Sequence, residues 1–505
     1  MDSDGAVFVA IDAGTTGARA CAVSLDGRVV HEVRRPYPLS APRPGRAEQD
    51  PVDWRERALE SVTELARALG PGARIEGIGL TGQCPTVAPM GAGGEPVGPG
   101  MLYRDNRATA EAAQMRAWIG EEEMHARTGH LAEAFHIGPK ILWLRAHEPS
   151  VFRATKHFMQ PRDIVLHALT GVSATDQTHA NATVLFDLRA RDWAGALLDA
   201  CSLEASIFPD VLAPWEQAGE VTPAVARRTG VPAGCPVVIG AADSQCAAFG
   251  SGVTAPGPVS EMAGSSSCLN SIVVAPLADR RVTHYSHVIP DVFSTELGLN
   301  TTGGAVQWAI GRLGFDDYAA VERAARSVHD RLRDGSAGDP LDAAPVFLPY
   351  LGDGERDDVR LRAAFVGLSD RHGREELAYA VLEGVAFGVA ETVAILVAAG
   401  SPCEELRVAG GGARLPALGA LKADALGVPV AHLDADTSPI GVALLAASAA
   451  GREREAQTAI REGLARATRF EPSARGREAL LARFAWWSDV RGSDAVRTPT
   501  RGDAS

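Results

Sequence analysis

The 505-residue chain has no Cys-x-x-Cys pair; its seven cysteines, Cys21, Cys84, Cys201, Cys235, Cys246, Cys268 and Cys403, are scattered. An odd, dispersed set excludes a disulfide framework. It fits reduced thiols in a reducing compartment, most of them small core residues. Neither H-E-x-x-H nor a Cys/His cluster occurs among the 13 histidines, so no metal-ligand spacing is present. No G-x-x-x-x-G-K-[ST] loop is found, which argues against a Walker-type NTPase. The first residues, MDSDGAVF, are acidic where a signal peptide is basic and have no long apolar stretch. No run reads as long and apolar enough to span a membrane. The expected location is the cytoplasm. Basic residues are outnumbered 49 to 63, a net charge of −14. That removes the broad basic face needed to bind nucleic acid or an anionic membrane, and neither partner is expected.

What is present fits a globular protein of several domains. Hydrophobic residues make up 46% and charged residues 22%, enough for sizeable cores. Val7 to Ile11 reads as a buried strand and Ala18 to Leu25 as a second. Asp26-Gly27 is a turn signal before Arg28 to Val33. A helix is expected from Pro51, with Asp50 as its N-cap, to about Leu69. "IEGIGLTG" is another strand, and Glu111 to Thr170 is mostly helical in pattern. "CPVVIG" is a strand followed by Asp243 and a helix of small residues. The layout of the first strands then returns in "PVSEMAGSSSCLNSIVV". A long helix, Glu375 to about Ala398, and a strand–glycine–helix–strand unit from Leu406 to Leu433 follow. Strands and helices alternate throughout, so the class is α/β. The boundary is expected near Ser251 to Pro258, giving domains 1–250 and 251–490. The polar tail 491–505 is expected to be disordered. Helices are expected after Gly451, packing back on the first domain.

Five stretches could carry chemistry. Asp12 precedes Gly14-Thr15-Thr16-Gly17, a tight turn whose backbone amides can face a phosphate. An acid there would repel the anion unless a cation lay between, so Asp12 suits Mg²⁺. The bland alternative is a hairpin with a satisfied Asp and Thr. Gly264-Ser265-Ser266-Ser267 is the same kind of loop, or a plain Gly/Ser turn. Asp243 is either a helix N-cap or a general base, with Ala241, Ala242, Ala247 and Ala248 leaving room for a substrate. Gly410-Gly411-Gly412 is either a flat surface for a nucleoside or part of a dinucleotide fingerprint with Asp434; Leu415 stands where that fingerprint needs glycine. Finally, "TGQCPT" and "LYRDNRA" place Gln83, Cys84, Tyr103 and Asp105 just after apolar strands. Tyr103 could stack on a polyol and Asp105 accept from its hydroxyls. Alternatively, Asp105 and Arg107 form a surface ion pair.

Taken in order, Asp12-x-Gly14-Thr15-Thr16, "PGRAEQDPVDW", "GAADSQCAAFG", "LPYLGDGER", "FVGLSDRHGREELAYAVLEGVAFGV" and "VAGGGAR" resemble the FGGY carbohydrate kinases, nearest to their xylulokinase members. The resemblance runs over roughly residues 7 to 450. It implies two ribonuclease-H-like domains, as in actin and Hsp70, with a cleft between them. It implies Mg²⁺-dependent transfer of the ATP γ-phosphoryl group to a sugar hydroxyl. By the same resemblance Asp243 is the catalytic base. Asp12, Gly14, Thr15 and Thr16 form the first phosphate loop, and Gly264, Ser265 and Ser266 the second. Gly410 to Gly412 are the adenosine segment. Gln83, Cys84, Tyr103 and Asp105, with Asp243, face the acceptor. Xylulokinase-like members commonly have Gln-Met-His-Gly where Gln83-Cys84-Pro85-Thr86 stands, and Trp where Tyr103 stands. "LPYLGDGER" is followed by Asp358 where the family has proline. The acceptor therefore stays open among xylulose, ribulose, fuculose and erythritol-type polyols. A nucleotide-gated binding protein of the same fold is the alternative from another class. A homodimer is the expected assembly.

Overall fold

The structure is a computed structural model and describes residues 5–498 except 71, 353 and 357. It divides into two compact units. Unit 1 comprises 1–254, 273–295 and 437–463; unit 2 comprises 255–272, 296–436 and 464–505. The chain thus enters unit 1 three times, where the sequence suggests a single break.

Unit 1 is built on a six-stranded sheet. Its strands are β1 (Ala6–Ala13), β2 (Gly17–Ser24), β3 (Val29–Pro36), β4 (Arg74–Gly82), β5 (Gln217–Glu220) and β6 (Pro236–Ala242), in the order β5-β6-β4-β1-β2-β3. β1, β2 and β3 form an antiparallel meander, and β4 and β6 add in parallel. β1 reads almost continuously apolar because both of its faces are covered. The helix Pro51–Leu69 forms as expected: Asp50 caps it by accepting from the Val52 amide at 2.9 Å, and Pro51 opens it. Its Trp54, Leu59, Val62 and Leu65 pack on the sheet.

The helix Thr437–Ala449 meets this sheet at backbone distance. A Cβ on Gly79 would lie 2.4 Å from the Val442 carbonyl oxygen. One on Gly441 would lie 1.9 Å from that of Cys246. Glycine is required at both places by close approach. Ala241, Ala242, Ala247 and Ala248 are buried here. They serve this packing and do not open space for a substrate as the sequence suggests.

Unit 2 repeats the plan. β7 (Gly257–Ala263) and β8 (Ser267–Val273) form the hairpin; β9 (Cys403–Gly410) and β10 (Val430–His432) add in parallel, and β11 (Thr468–Phe470) closes antiparallel. The side-by-side order is β8-β7-β9-β10-β11. Both units therefore carry a ribonuclease-H-like core, as the resemblance implies.

Three expectations are corrected. The helix Arg374–Ala399 is long and apolar enough to cross a membrane, by length and composition. Even so, 78% of its most apolar stretch is buried inside the protein, as the central helix of unit 2. Residues 491–498 are structured: the helix Ala474–Gly492 ends there, and Arg497 Nε bonds Asp358 at 2.6 Å. Residues 499–505 lie outside the described residues. After Gly451, the helix Glu453–Ala465 starts within unit 1, but Ala474–Gly492 packs in unit 2. All seven cysteines are free, and four are buried, in line with the sequence.

Arg483 ties that last helix to the central one. It is fully buried and bonds Glu383 at 2.7 Å and the carbonyls of Pro340 and Ala344 at 2.9 and 3.0 Å. Arg483→Met leaves Glu383 charged and unpaired in the core, a loss of about 3–5 kcal/mol. Adding Glu383→Gln removes the charge but keeps an acceptor for Tyr379. The expected result is a large drop in the urea midpoint for the single variant and recovery of most of it in the double variant.

Candidate active site

β4 lies between β1 and β6, and the pairing fixes which residues leave the sheet together. Thr81 stands opposite Asp12 on one side and Ala241 on the other; Gly82 stands opposite Ala13 and Ala242. The next residues, Gly14, Gln83 and Asp243, therefore emerge at the same carboxyl end. In α/β sheets this end is where ligands bind.

Asp12 faces its hairpin partner Arg19 at 3.1 Å, and both side chains are largely buried. The acid thus has a cationic partner within the chain, which the sequence did not reveal. The loop after it is anchored by its carbonyls. Gly14 O accepts from the Tyr37 hydroxyl and from Gln83 Nε2 at 3.3 Å. Thr15 O accepts from Gln49 Nε2 at 2.8 Å, and Thr16 O from the Tyr37 amide at 3.4 Å. With those oxygens turned into the protein, an anion at the loop does not meet their negative ends. Thr16 is exposed, and Gly14 and Thr15 are half-buried.

Asp243 opens the helix Asp243–Gly250 but is not its N-cap; that position is Ala242, with no side-chain cap bond. One Asp243 carboxylate oxygen accepts from the Ser244 amide at 2.8 Å. The strand end behind it is held at three points. Arg162 Nη1 donates to Ile239 O at 2.5 Å, Thr81 Oγ1 to Ala241 O at 2.8 Å, and the Ala242 amide to Thr178 Oγ1 at 2.9 Å. Arg162 is itself fixed by Asp163 at 2.7 Å and Asp176 at 3.0 Å, all three being buried.

The two acceptor segments divide by exposure. Tyr103 is 36% exposed and Cys84 half-buried, so both can meet a ligand. Gln83 is 2% exposed and Asp105 fully buried. The Asp105 carboxylate accepts from the Ala47 amide and from Arg107 Nε, each at 2.8 Å. Arg107 also bonds Glu48. The Asp105–Arg107 pair is therefore neither a surface ion pair nor an open acceptor for hydroxyls. Burial works to raise the Asp105 pKa, but Arg107 and the amides override it and hold the carboxyl below its usual range. Beneath these segments lies Lys140, also fully buried, with Nζ 3.2 Å from Pro85 O and 2.7 Å from Leu102 O. Burial brings its pKa down to about 7. Lys140 joins the two segments from within an apolar helix.

In unit 2, Ala263 pairs with Ser267 across the hairpin and with Gly410 in parallel, which sets Gly264–Ser266 beside the glycine triplet. Gly410 has φ +93°, and a Cβ there would lie 2.7 Å from Ala263 O; only glycine fits. A cavity of about 500 Å³ opens at this place. Gly264, Ser265, Gly411 and Gly412 form its polar wall, and Val306 and Leu418 its apolar one. Its size and mixed lining suit a small organic ligand. Asp434 is exposed and does not line it, so the acid that the dinucleotide alternative relies on is not at the cavity.

Glu261 and Lys422 also border the cavity, 2.6 Å apart and fully buried. Glu261 accepts from Ser267 Oγ at 2.8 Å, and Ser267 Oγ lies 2.9 Å from Thr302 Oγ1. The amides of Thr302 and Gly304 bond Ser265 O, each at 2.9 Å. The second loop is thus tied to the start of the helix Gly303–Leu313.

Residues 7–250 match the N-terminal domain of the FGGY family of carbohydrate kinases, and residues 260–450 its C-terminal domain. The xylulose kinase of Bacillus subtilis (strain 168) is 26% identical over 491 residues, 95% of this chain and 96% of that protein. The glycerol kinase of Gloeobacter violaceus is 32% identical over 459 residues, 88% of each chain. The crystal structure of xylulose kinase from Rhodospirillum rubrum superposes with a TM-score of 0.86 at 28% identity, covering 96% of this chain and 98% of that one. With both domains matched in order over most of its length, this chain belongs to the FGGY family of carbohydrate kinases.

Proposed function

We propose that the protein transfers the γ-phosphoryl group of ATP to a hydroxyl of a small sugar, with a ketopentose such as xylulose as the acceptor. The observation that carries this reading is the position of Asp243. Its carboxylate leaves the sheet at the same end as the Gly14–Thr16 loop, at the first position of its helix and one residue past the N-cap Ala242. The xylulose kinases among the relatives support the choice of acceptor.

Asp243 takes the proton of the acceptor hydroxyl as that oxygen attacks the γ-phosphorus. A new O–P bond forms, the bond to the β,γ-bridging oxygen breaks, and ADP leaves. Tyr103 and Cys84 form the accessible wall against the sugar. In unit 2 the base and ribose occupy the cavity beside Gly410, Gly411 and Gly412. Gly264, Ser265 and Ser266 face phosphate there, and Gly14, Thr15 and Thr16 are the corresponding donors of unit 1. Asp12 suits Mg²⁺. Among the described residues no three His, Cys, Asp or Glu side chains gather into a metal cage. A single carboxylate with water and phosphate oxygens is how Mg²⁺ is commonly held. Bound there, the ion would neutralise charge on the phosphates.

A polyol acceptor is the second reading, favoured by the glycerol kinase relative at 32% identity. ADP release across xylulose, ribulose, fuculose, erythritol and glycerol separates the two by kcat/KM. The expected outcome is the highest value for a ketopentose; a flat response across the panel would favour a nucleotide-gated binding protein instead. Asp243→Asn keeps the shape and removes the base, and is expected to lower kcat about 10²–10⁴-fold. Near-full activity in that variant would sink the assignment. Asp12→Asn is expected to raise the Mg²⁺ concentration for half-maximal rate about tenfold or more, measured at saturating ATP.

A further inference from the structure

Behind the first loop runs a chain of buried amides and hydroxyls. Gln49 is 3% exposed, Gln83 2% and Thr86 0%. Trp54 Nε1 lies 2.9 Å from one end of the Gln49 amide. An indole N–H can only donate, so that end is the oxygen. The other end lies 2.8 Å from Thr15 O, which can only accept, so it is the nitrogen. The orientation of Gln49 is fixed twice over.

Gln83 follows from it. Its Nε2 lies 3.1 Å from Gln49 Oε1 and 3.3 Å from Gly14 O, and both of these are acceptors. Its Oε1 therefore faces Thr86 Oγ1 at 3.3 Å, and the Thr86 hydroxyl must donate to it. That leaves the Thr86 oxygen to accept, and the Tyr103 amide donates to it at 3.2 Å. Every bond points the same way: from the Tyr103 amide through Thr86 and Gln83 to Gly14 O, and through Gln49 to Thr15 O. Chains aligned in this manner strengthen cooperatively in a low-dielectric interior.

We propose that Gln49, Gln83 and Thr86 form a polarised relay by which the acceptor segment carrying Tyr103 positions the first phosphate loop. Gln49 and Thr86 are positioning residues and touch no reacting atom. The relay rests on the kinase reading above. Its consequence is that a sugar packed against Tyr103 stiffens the loop that receives phosphate. Transfer to the acceptor is thereby favoured over hydrolysis by water.

Thr86→Val removes the hydroxyl at constant shape and cuts the chain in its middle. Thr86→Ser restores it. Gln49→Glu keeps the acceptor for Trp54 and loses the donor to Thr15 O, at no change in volume. The readouts are acceptor-dependent ADP release, acceptor-independent ADP release and the thermal midpoint, using the full chain and the best acceptor of the panel. Thr86→Val and Gln49→Glu are each expected to lower acceptor-dependent kcat about tenfold, the effect of one buried hydrogen bond. Acceptor-independent release is expected to stay within about twofold, so its ratio to transfer rises; Thr86→Ser returns the ratio to that of the starting protein. The relay is overturned if both rates fall together, if only the midpoint moves, or if serine fails to rescue. No acceptor-dependent release from the unsubstituted protein would instead refute the kinase reading itself.

Discussion

The site depends first on the parallel register of three strands. β4 holds β1 and β6 so that Asp12, Thr81 and Ala241 share one row. A slip of one residue would turn every side chain of a strand to the opposite face. Asp12 would then point away from Arg19, and the loop and Asp243 would end at different levels. The register is backed by the helix Thr437–Ala449, which opens the third chain segment of unit 1 and presses on Gly79. Any side chain at that glycine would push the helix off the sheet.

The same topology recurs in unit 2 with other chemistry around it. Ala13 and Ala263 are equivalent in register, each opposite a hairpin partner and a glycine of the next parallel strand. In unit 1 the loop carbonyls are held by neutral amides and a phenol. In unit 2 they are held by helix amides, backed by a buried Lys422–Glu261 pair. The difference bears on what each loop can bind. A neutral support leaves the field at the loop to Asp12, Arg19 and any bound cation. A compensated ion pair fixes geometry while adding no net charge.

Local features were legible in the sequence. The strand–loop–strand repeats, the Asp50 cap and the position of Asp243 after its strand all depend on neighbours in the chain. The supporting network was not legible, because its partners lie far apart. Thr81 and Ala241 are separated by 160 residues, Lys422 and Glu261 by 161, and Arg162 and Ile239 by 77. The burial of Asp105 was missed for the same reason: the amide of Ala47, 58 residues away, supplies one of its bonds. One signal was available. The chain has only three lysines, Lys140, Lys156 and Lys422, among 49 basic residues. Where arginine serves the surface so thoroughly, a retained lysine marks a place that needs a compact point donor. Two of the three are fully buried beside the candidate site.

The segment that departs from the resembled pattern, Gln83-Cys84-Pro85-Thr86, falls into two layers. Gln83 and Thr86 are buried and bonded to the loop and to the Tyr103 amide, whereas Cys84 and Tyr103 reach the accessible wall. Substitution in the outer layer alters what the wall can recognise and leaves the loop's carbonyl anchors in place. Substitution in the inner layer acts on the loop itself. Thr86 stands where the pattern commonly has glycine, which has no hydroxyl, so the link through its Oγ1 belongs to this chain's own version of the segment. The buried and the accessible residues of this turn are therefore Gln83 and Thr86 on one side and Cys84 on the other. A side-chain change at Cys84 or Tyr103 leaves the bonds of Gln83 and Thr86 to the loop and to the Tyr103 amide in place.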